Sequence, residues 1–145
     1  MADALNPDAA ELAASLNAAS DMFASMGFSR LLDADRKAGV VRLEFDALPR
    51  FCHSNGQIVQ GGFVTAWLDS SMAQAARLHA GRPVGVASLE VKVSFLRRVG
   101  PGKVVAEGRV IRMGRRVAFL EASLFDAGTG VLLATASSSA LIESD

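Results

Sequence analysis

The segment 62–79, GFVTAWLDSSMAQAARLH, constrains the fold more than any other part of the chain. It has no proline and is rich in Ala, Leu and Met, which predicts a helix of about five turns. Phe63, Val64, Ala66, Trp67, Leu68, Met72, Ala73, Ala75, Ala76 and Leu78 reach every side of it. A helix apolar all round is a buried helix, so something must wrap it. The residues that follow supply the wrap. Leu89, Val91, Val93 and Phe95 alternate with Ser88, Glu90, Lys92 and Ser94, the period of a strand. Gly100-Pro101-Gly102, Gly114 and Ala127-Gly128-Thr129-Gly130 read as turns, which leaves strands over 103–113, 116–126 and 131–142. Turns this short join antiparallel neighbours.

Upstream, GVVRLEFD at 39–46 alternates as a further strand, and 50–62 reads as a loop with Gly56, Gly61 and Gly62. Asn6 is a helix cap, Pro7 suits the first helical position, and Asp8 and Glu11 fall in the first turn. Leu12, Leu16, Ala19, Phe23 and Met26 then recur at helical spacing up to Gly27, which predicts an amphipathic helix over 8–26. The fold class is α+β: an antiparallel sheet of five or six strands wrapped around a long central helix, with an extra N-terminal helix. At 145 residues this is a single domain over 1–145, with its core over 39–142.

Composition removes several classes of function. Fifteen Lys+Arg balance fifteen Asp+Glu, which argues against a nucleic-acid binder. One cysteine, Cys52, excludes an internal disulfide and a multi-cysteine zinc site; it reads as a small buried hydrophobe. With only His53 and His79 besides, no metal site is expected. No run of apolar residues is long enough for a membrane span, and the N-terminus lacks a basic signal region, so a cytoplasmic location is expected. The neutral total hides a basic stretch. From Arg77 to Arg116, ten bases face two acids, Glu90 and Glu107. Such a stretch meets either a modest anion or the acidic N-terminal part of the same fold.

Asp69 is the only ionisable residue between 62 and 76, in the middle of the apolar helix. Buried unpaired, its charge would cost several kcal/mol. Either it pairs with an arginine or looks out through a gap in the packing, or it is a carboxylate held for use as nucleophile or general base. Gln60-Gly61-Gly62 stands at the start of the same helix. Bare amides there, with glycines allowing close approach, suit a developing oxyanion. Gly61 and Asp69 are eight residues apart, about 12 Å of helical rise. If both act on one substrate they come from two copies of the chain, which points to a symmetric dimer.

The run His53-Ser54-Asn55-Gly56-Gln57-Ile58-Val59-Gln60-Gly61-Gly62 followed by Leu68-Asp69 resembles the core motif of hotdog-fold acyl-CoA thioesterases of the phenylacetic-acid-degradation type. These belong to the 4-hydroxybenzoyl-CoA thioesterase superfamily. The later strand 87–95, the turn Gly114-Arg115-Arg116 and the ending Ala134-Thr135-Ala136 fit the same pattern, over about residues 39–142. The resemblance implies a hotdog fold and hydrolysis of an acyl- or aroyl-CoA to acid and coenzyme A. It makes Asp69 the nucleophile or the base for water. The Gly61 N–H then polarises the thioester carbonyl from the partner subunit. Asn55 or Ser54 helps place water or substrate, Ser88 is an auxiliary hydroxyl beside Asp69, and Gln60 and Gly62 line the substrate site. Arg97, Arg98, Arg115 and Arg116 face the coenzyme A phosphates. The implied assembly is a homodimer, doubled into a homotetramer. Coenzyme A enters as part of the substrate, and no separate cofactor is implied.

Gln60 stands where the motif carries histidine, and Ser54 occupies the expected polar position with Asn55 one place off. Each residue also has a plainer reading. Asn55-Gly56 is a common turn pair, a lone His53 is a loop residue, and Ser88 suits the polar face of a strand. Trp67 and Met72 suit core or pocket wall. Two other functions fit the same fold. One is a non-catalytic acyl-CoA-binding module. The other is an enoyl-CoA hydratase, disfavoured because His79 lies about 15 Å along the helix from Asp69.

Overall fold

A six-stranded antiparallel sheet carries the long helix on one face in this computed structural model, which describes residues 6–18 and 21–144. The elements are α1 (Pro7–Ala18), α2 (Asp21–Ser25), β1 (Phe28–Asp35), β2 (Val40–Ala47), β3 (Cys52–His53), β4 (Ile58–Val59), α3 (Gly61–Ala80), β5 (Val84–Phe95), β6 (Gly102–Met113), β7 (Val117–Asp126) and β8 (Leu132–Ser144). The sheet order is β1-β2-β6-β7-β8-β5, so β1 and β5 are its edges. Every neighbouring pair is antiparallel. The short turns join neighbours at β1-β2, β6-β7 and β7-β8, but the Gly100-Pro101-Gly102 connection does not: it carries the chain from the β5 edge to β6, so that β5 pairs with β8 and β6 with β2.

The helix expected over 8–26 is found as α1 and α2, on either side of residues 19 and 20. Ala19 lies outside the described residues. Asn6 caps α1 through its side-chain oxygen, which accepts from the Ala9 N–H at 2.8 Å. Leu12, Leu16 and Phe23 are buried as the spacing predicts. The chain then turns at Gly27, whose φ is 79°. A Cβ there would run into the Asp46 carbonyl oxygen, so only glycine fits.

Strand β1 has no counterpart in the sequence reading. Two bulges, between Phe28 and Arg30 and between Leu31 and Asp33, interrupt its pairing with β2. Its inward residues Phe28, Leu31 and Ala34 are therefore spaced by three rather than two, and the alternation that marks a strand is lost. Within the loop expected over 50–62, β3 and β4 form a small separate hairpin.

Helix α3 packs on the sheet through Val64, Trp67, Leu68, Ser71, Met72, Ala75 and Leu78. The contact is closest at Gly108 of β6, where a Cβ would collide with the Ser71 backbone. Trp67 is fully buried, stacks on Phe45, and donates its indole N–H to the Met26 carbonyl at 2.8 Å. The helix is not covered all round, as its composition suggested. Thr65, Ala66, Asp69, Ser70 and Ala73 form a stripe that the single chain leaves half-buried.

Candidate active site

The site begins at the start of α3. Gln60 is its cap, in extended conformation, and its Oε1 accepts from the Gly62 N–H at 2.6 Å. The Gln60 carbonyl accepts from the Phe63 N–H at 3.0 Å. The Gly61 N–H has no acceptor among the described residues. Of the first-turn amides, Gln60 thus occupies two and leaves Gly61 as the free donor at the positive end of the helix.

The Phe95 ring lies against Gly61, 3.1 Å from where a Cβ would be. Beside it opens a cavity of about 340 Å³, walled by Ile58, Val59, Val64 and Leu96, with Arg97 and Arg98 among its lining. The segment is tied down at both ends. The Val59 N–H donates to the Val99 carbonyl, and the Leu96 and Arg97 N–H groups both donate to Leu133 O.

The loop before β4 carries Ser54, Asn55 and Gly56 in succession at φ of 53°, 60° and 76°. Left-handed backbone is tolerable for Asn and Gly but costs a Ser about 1 kcal/mol or more. The Asn55-Gly56 pair does form a turn, and both Ser54 and Asn55 are exposed at its tip. The Ser54 hydroxyl sits 2.9 Å from His53 Nδ1, which accounts for His53 locally. Cys52 is half-buried, with its thiol directed at the Leu48 carbonyl.

Asp69 is half-buried on the open stripe of α3. Its Oδ1 accepts from the Ser88 hydroxyl at 2.7 Å. No ion pair reaches it among the described residues, so the arginine partner that a structural role would supply is missing. Ser88 faces the helix because β5 bulges at Leu89. Ser88 pairs with Ala140 and Glu90 with Ser139, with Leu89 as the extra residue. A bulge re-aims a side chain, and here it aims a hydroxyl at a carboxylate. On the other face of the sheet Glu90 accepts from the Ser139 hydroxyl and N–H, which hold its carboxyl below the usual range.

The four arginines of the sequence reading do not form one cluster within a chain. Arg97 and Arg98 follow the Phe95 end of β5, whereas Arg115 and Arg116 line a cavity with Leu141–Ser144 at its Val84 end. Eleven strand steps separate those ends, about 36 Å. Among the described residues no three His, Cys, Asp or Glu side chains group as a metal site, and no helix is long and apolar enough to cross a membrane.

This geometry sits inside a recognised family. The thioesterase superfamily matches residues 56–133, a span that runs from the loop before Gly61 through α3 and Ser88 to the start of β8. The chain belongs to the thioesterase superfamily. A phenylacetic acid degradation-related protein of Ralstonia eutropha JMP134 is similar to it at 26% identity, with 94% of this chain and 99% of that one covered and a TM-score of 0.79. A thioesterase family protein from Silicibacter pomeroyi superposes with a TM-score of 0.82 at 22% identity, over 94% of this chain and 98% of that one. The E. coli PaaI protein from the phenylacetic acid degradation operon superposes at 0.80 with 14% identity, over 95% of each chain, and shares the fold. No curated protein matches the sequence.

Proposed function

We propose that the chain is an acyl-CoA thioesterase whose site is shared by two copies. The observation that carries this reading is Asp69 itself: an unpaired carboxylate on the open stripe of a core helix, oriented by the Ser88 hydroxyl. Within one chain the free Gly61 N–H is about 12 Å of helical rise away from it. A second copy supplies what is missing. Pairing of two β5 edges about a two-fold axis runs the helices past each other and offers the partner subunit's Gly61 to Asp69. The same pairing lays the Phe95 end of one β5 over the Val84 end of the other, so that Arg97 and Arg98 meet the end that carries the partner's Arg115 and the partner's Arg116.

In this arrangement the Gly61 N–H takes up the charge that develops on the thioester oxygen. Asp69 either attacks the carbonyl carbon, expelling coenzyme A as thiolate and leaving an anhydride for water to open, or removes a proton from the water that attacks. Either route yields the free acid and the coenzyme A thiol. Gln60 shapes the donor set by occupying the Gly62 amide, a task that needs a side-chain acceptor and not a titrating one. The apolar cavity beside Gly61 suits an acyl or pantetheine chain.

The test is release of free thiol from a panel of acyl-CoAs by the wild type and by Asp69→Asn. The variant keeps shape and hydrogen bonding but loses the basic oxygen, so turnover falls on the order of 10²-fold or more. Its melting temperature changes little, because Asp69 is only half-buried and has a single hydroxyl partner. A non-hydrolysable acyl-CoA still binds. A wild type that binds acyl-CoA without releasing thiol would be a binding module, and full activity in Asp69→Asn would remove the mechanism.

A further inference from the structure

Phe95 is more than half exposed, yet its ring is held in a defined place. It ends β5, and the backbone just past it is fixed by the Leu96 and Arg97 N–H groups, which both donate to the Leu133 carbonyl. Cζ and Cε1 of the ring lie 3.1 and 3.2 Å from where a Cβ of Gly61 would stand. In a helix the Cα–Cβ bond tilts toward the N-terminus, the end at which the first-turn amides emerge. The ring therefore stands beside the free Gly61 N–H, in the space into which a side chain at 61 would grow. This also explains the glycine. Gly61 has no positive φ to call for one, whereas the close approach of the ring does.

The ring arrives there because of the bulge at Leu89. Ser88 and Phe95 are seven residues apart on β5, an odd spacing that would put them on opposite faces of a regular strand. Their partners on β8, Ala140 and Ala134, are six apart and both lie in the core. The extra residue absorbs the difference. Val91 and Val93, between the two, pack against the core in step. One bulge thus turns Ser88 to Asp69 and Phe95 to Gly61.

We propose that Phe95 is a positioning residue for the oxyanion donor: its ring covers one side of Gly61 and keeps water off the free N–H. This rests on the thioesterase reading, in which that N–H takes up the charge developing on the thioester oxygen. A donor in a water-excluded place is worth more than the same donor in water. The ring brings no oxygen or nitrogen that would compete for the amide. Phe95 and Gly61 line the same cavity, so cover and donor belong to one site.

Two readouts test this, hydrolysis of an acyl-CoA and hydrogen exchange of the Gly61 N–H followed by NMR. Phe95→Ala is expected to lower kcat about tenfold with KM little changed, a smaller loss than removal of the donor itself. Phe95→Leu, which keeps an apolar cover and an apolar edge, falls between the wild type and Phe95→Ala. The Gly61 N–H exchanges several-fold faster in Phe95→Ala. The contact lies within one chain, so exchange reads the cover whatever the assembly. Gly61→Ala keeps the N–H and adds a methyl. In the wild type that methyl presses on the ring and lowers kcat; in Phe95→Ala it covers the bared amide and recovers part of the loss. A phenylalanine with a merely structural role would give additive effects instead. An unchanged Gly61 exchange rate in Phe95→Ala overturns the proposal. So does an unchanged kcat, a loss confined to KM, or additivity of the two substitutions, and each of these leaves the thioesterase reading standing. A wild type that releases no thiol from any acyl-CoA removes the thioesterase reading instead, and the exchange rate then decides by itself whether Phe95 covers that amide.

Discussion

At the β1 edge, α1 reaches across the strand. The Asn6 side-chain amide donates to the Ala34 carbonyl at 3.0 Å, and Asp8 accepts from the Arg36 N–H at 2.8 Å, just past the strand's end. Two bulges and the charges of Arg30, Asp33 and Asp35 further spoil this edge as a template. At the β5 edge no element lies alongside among the described residues. That strand is twelve residues long, and Leu89 and Phe95 are each more than half exposed along it. Both edges contain bulges, but to different ends: those in β1 break up a surface, whereas the one in β5 turns Ser88 toward Asp69. In the arrangement proposed above, this open edge beside Asp69 is where the second copy of the chain would pair.

A charge placed on the open edge should separate the two edges most clearly. Leu89→Lys is expected to give a folded monomer by light scattering, with melting temperature little changed because the residue already meets solvent. Turnover falls by about 10², the effect of losing an oxyanion donor from the site. At the other edge, Arg30→Ala leaves assembly and turnover as they were, since Ser29 and Lys103 still reach Glu44. Loss of activity in Leu89→Lys without loss of assembly would separate the edge from the site.

A smaller effect sharpens the role of the bulge. Ser88→Ala removes one hydrogen bond to a carboxylate, worth about 1.5 kcal/mol, or roughly tenfold in rate if the bond orients Asp69 for attack. The loss should fall on kcat and not on KM. A change confined to KM would make Ser88 a substrate contact instead of a positioning residue.

The central helix and the strands that follow it were legible as elements because period and turn chemistry agree there, down to the turn at Ala127–Gly130, but their order was not, since nothing local to Gly100-Pro101-Gly102 tells that the chain leaves the β5 edge for β6 instead of pairing the two. β1 was not, since its bulges give the inward residues a spacing of three. The Gly61 and Asp69 positions could be picked out as a glycine pair at a helix start and an acid in an apolar run. The split of the arginines into two pairs could not, because it depends on which strand end each turn occupies. Gln74 left no signal at all: a glutamine in a helix reads as surface, yet this one is buried. The half-open stripe around Asp69 was hidden by its small apolar neighbours Ala66 and Ala73, which are equally suited to a core and to an interface.

The claim that one site takes Asp69 from one copy and Gly61 from the other is tested most directly by mixing two inactive variants. Asp69→Asn lacks the carboxylate. Gly61→Pro lacks the amide proton at the first helical position, which tolerates proline, and the extended Gln60 before it suits a following proline; the Phe95 ring, 3.1 Å from a Cβ at this position, has to give by a few tenths of an ångström. Each variant alone should be nearly inactive. Unfolded together and refolded, they form mixed dimers in which one of two sites has both groups, so activity should return to about a quarter of wild type. A mixture as inactive as its components, with mixed dimers shown to be present, would contradict the shared site.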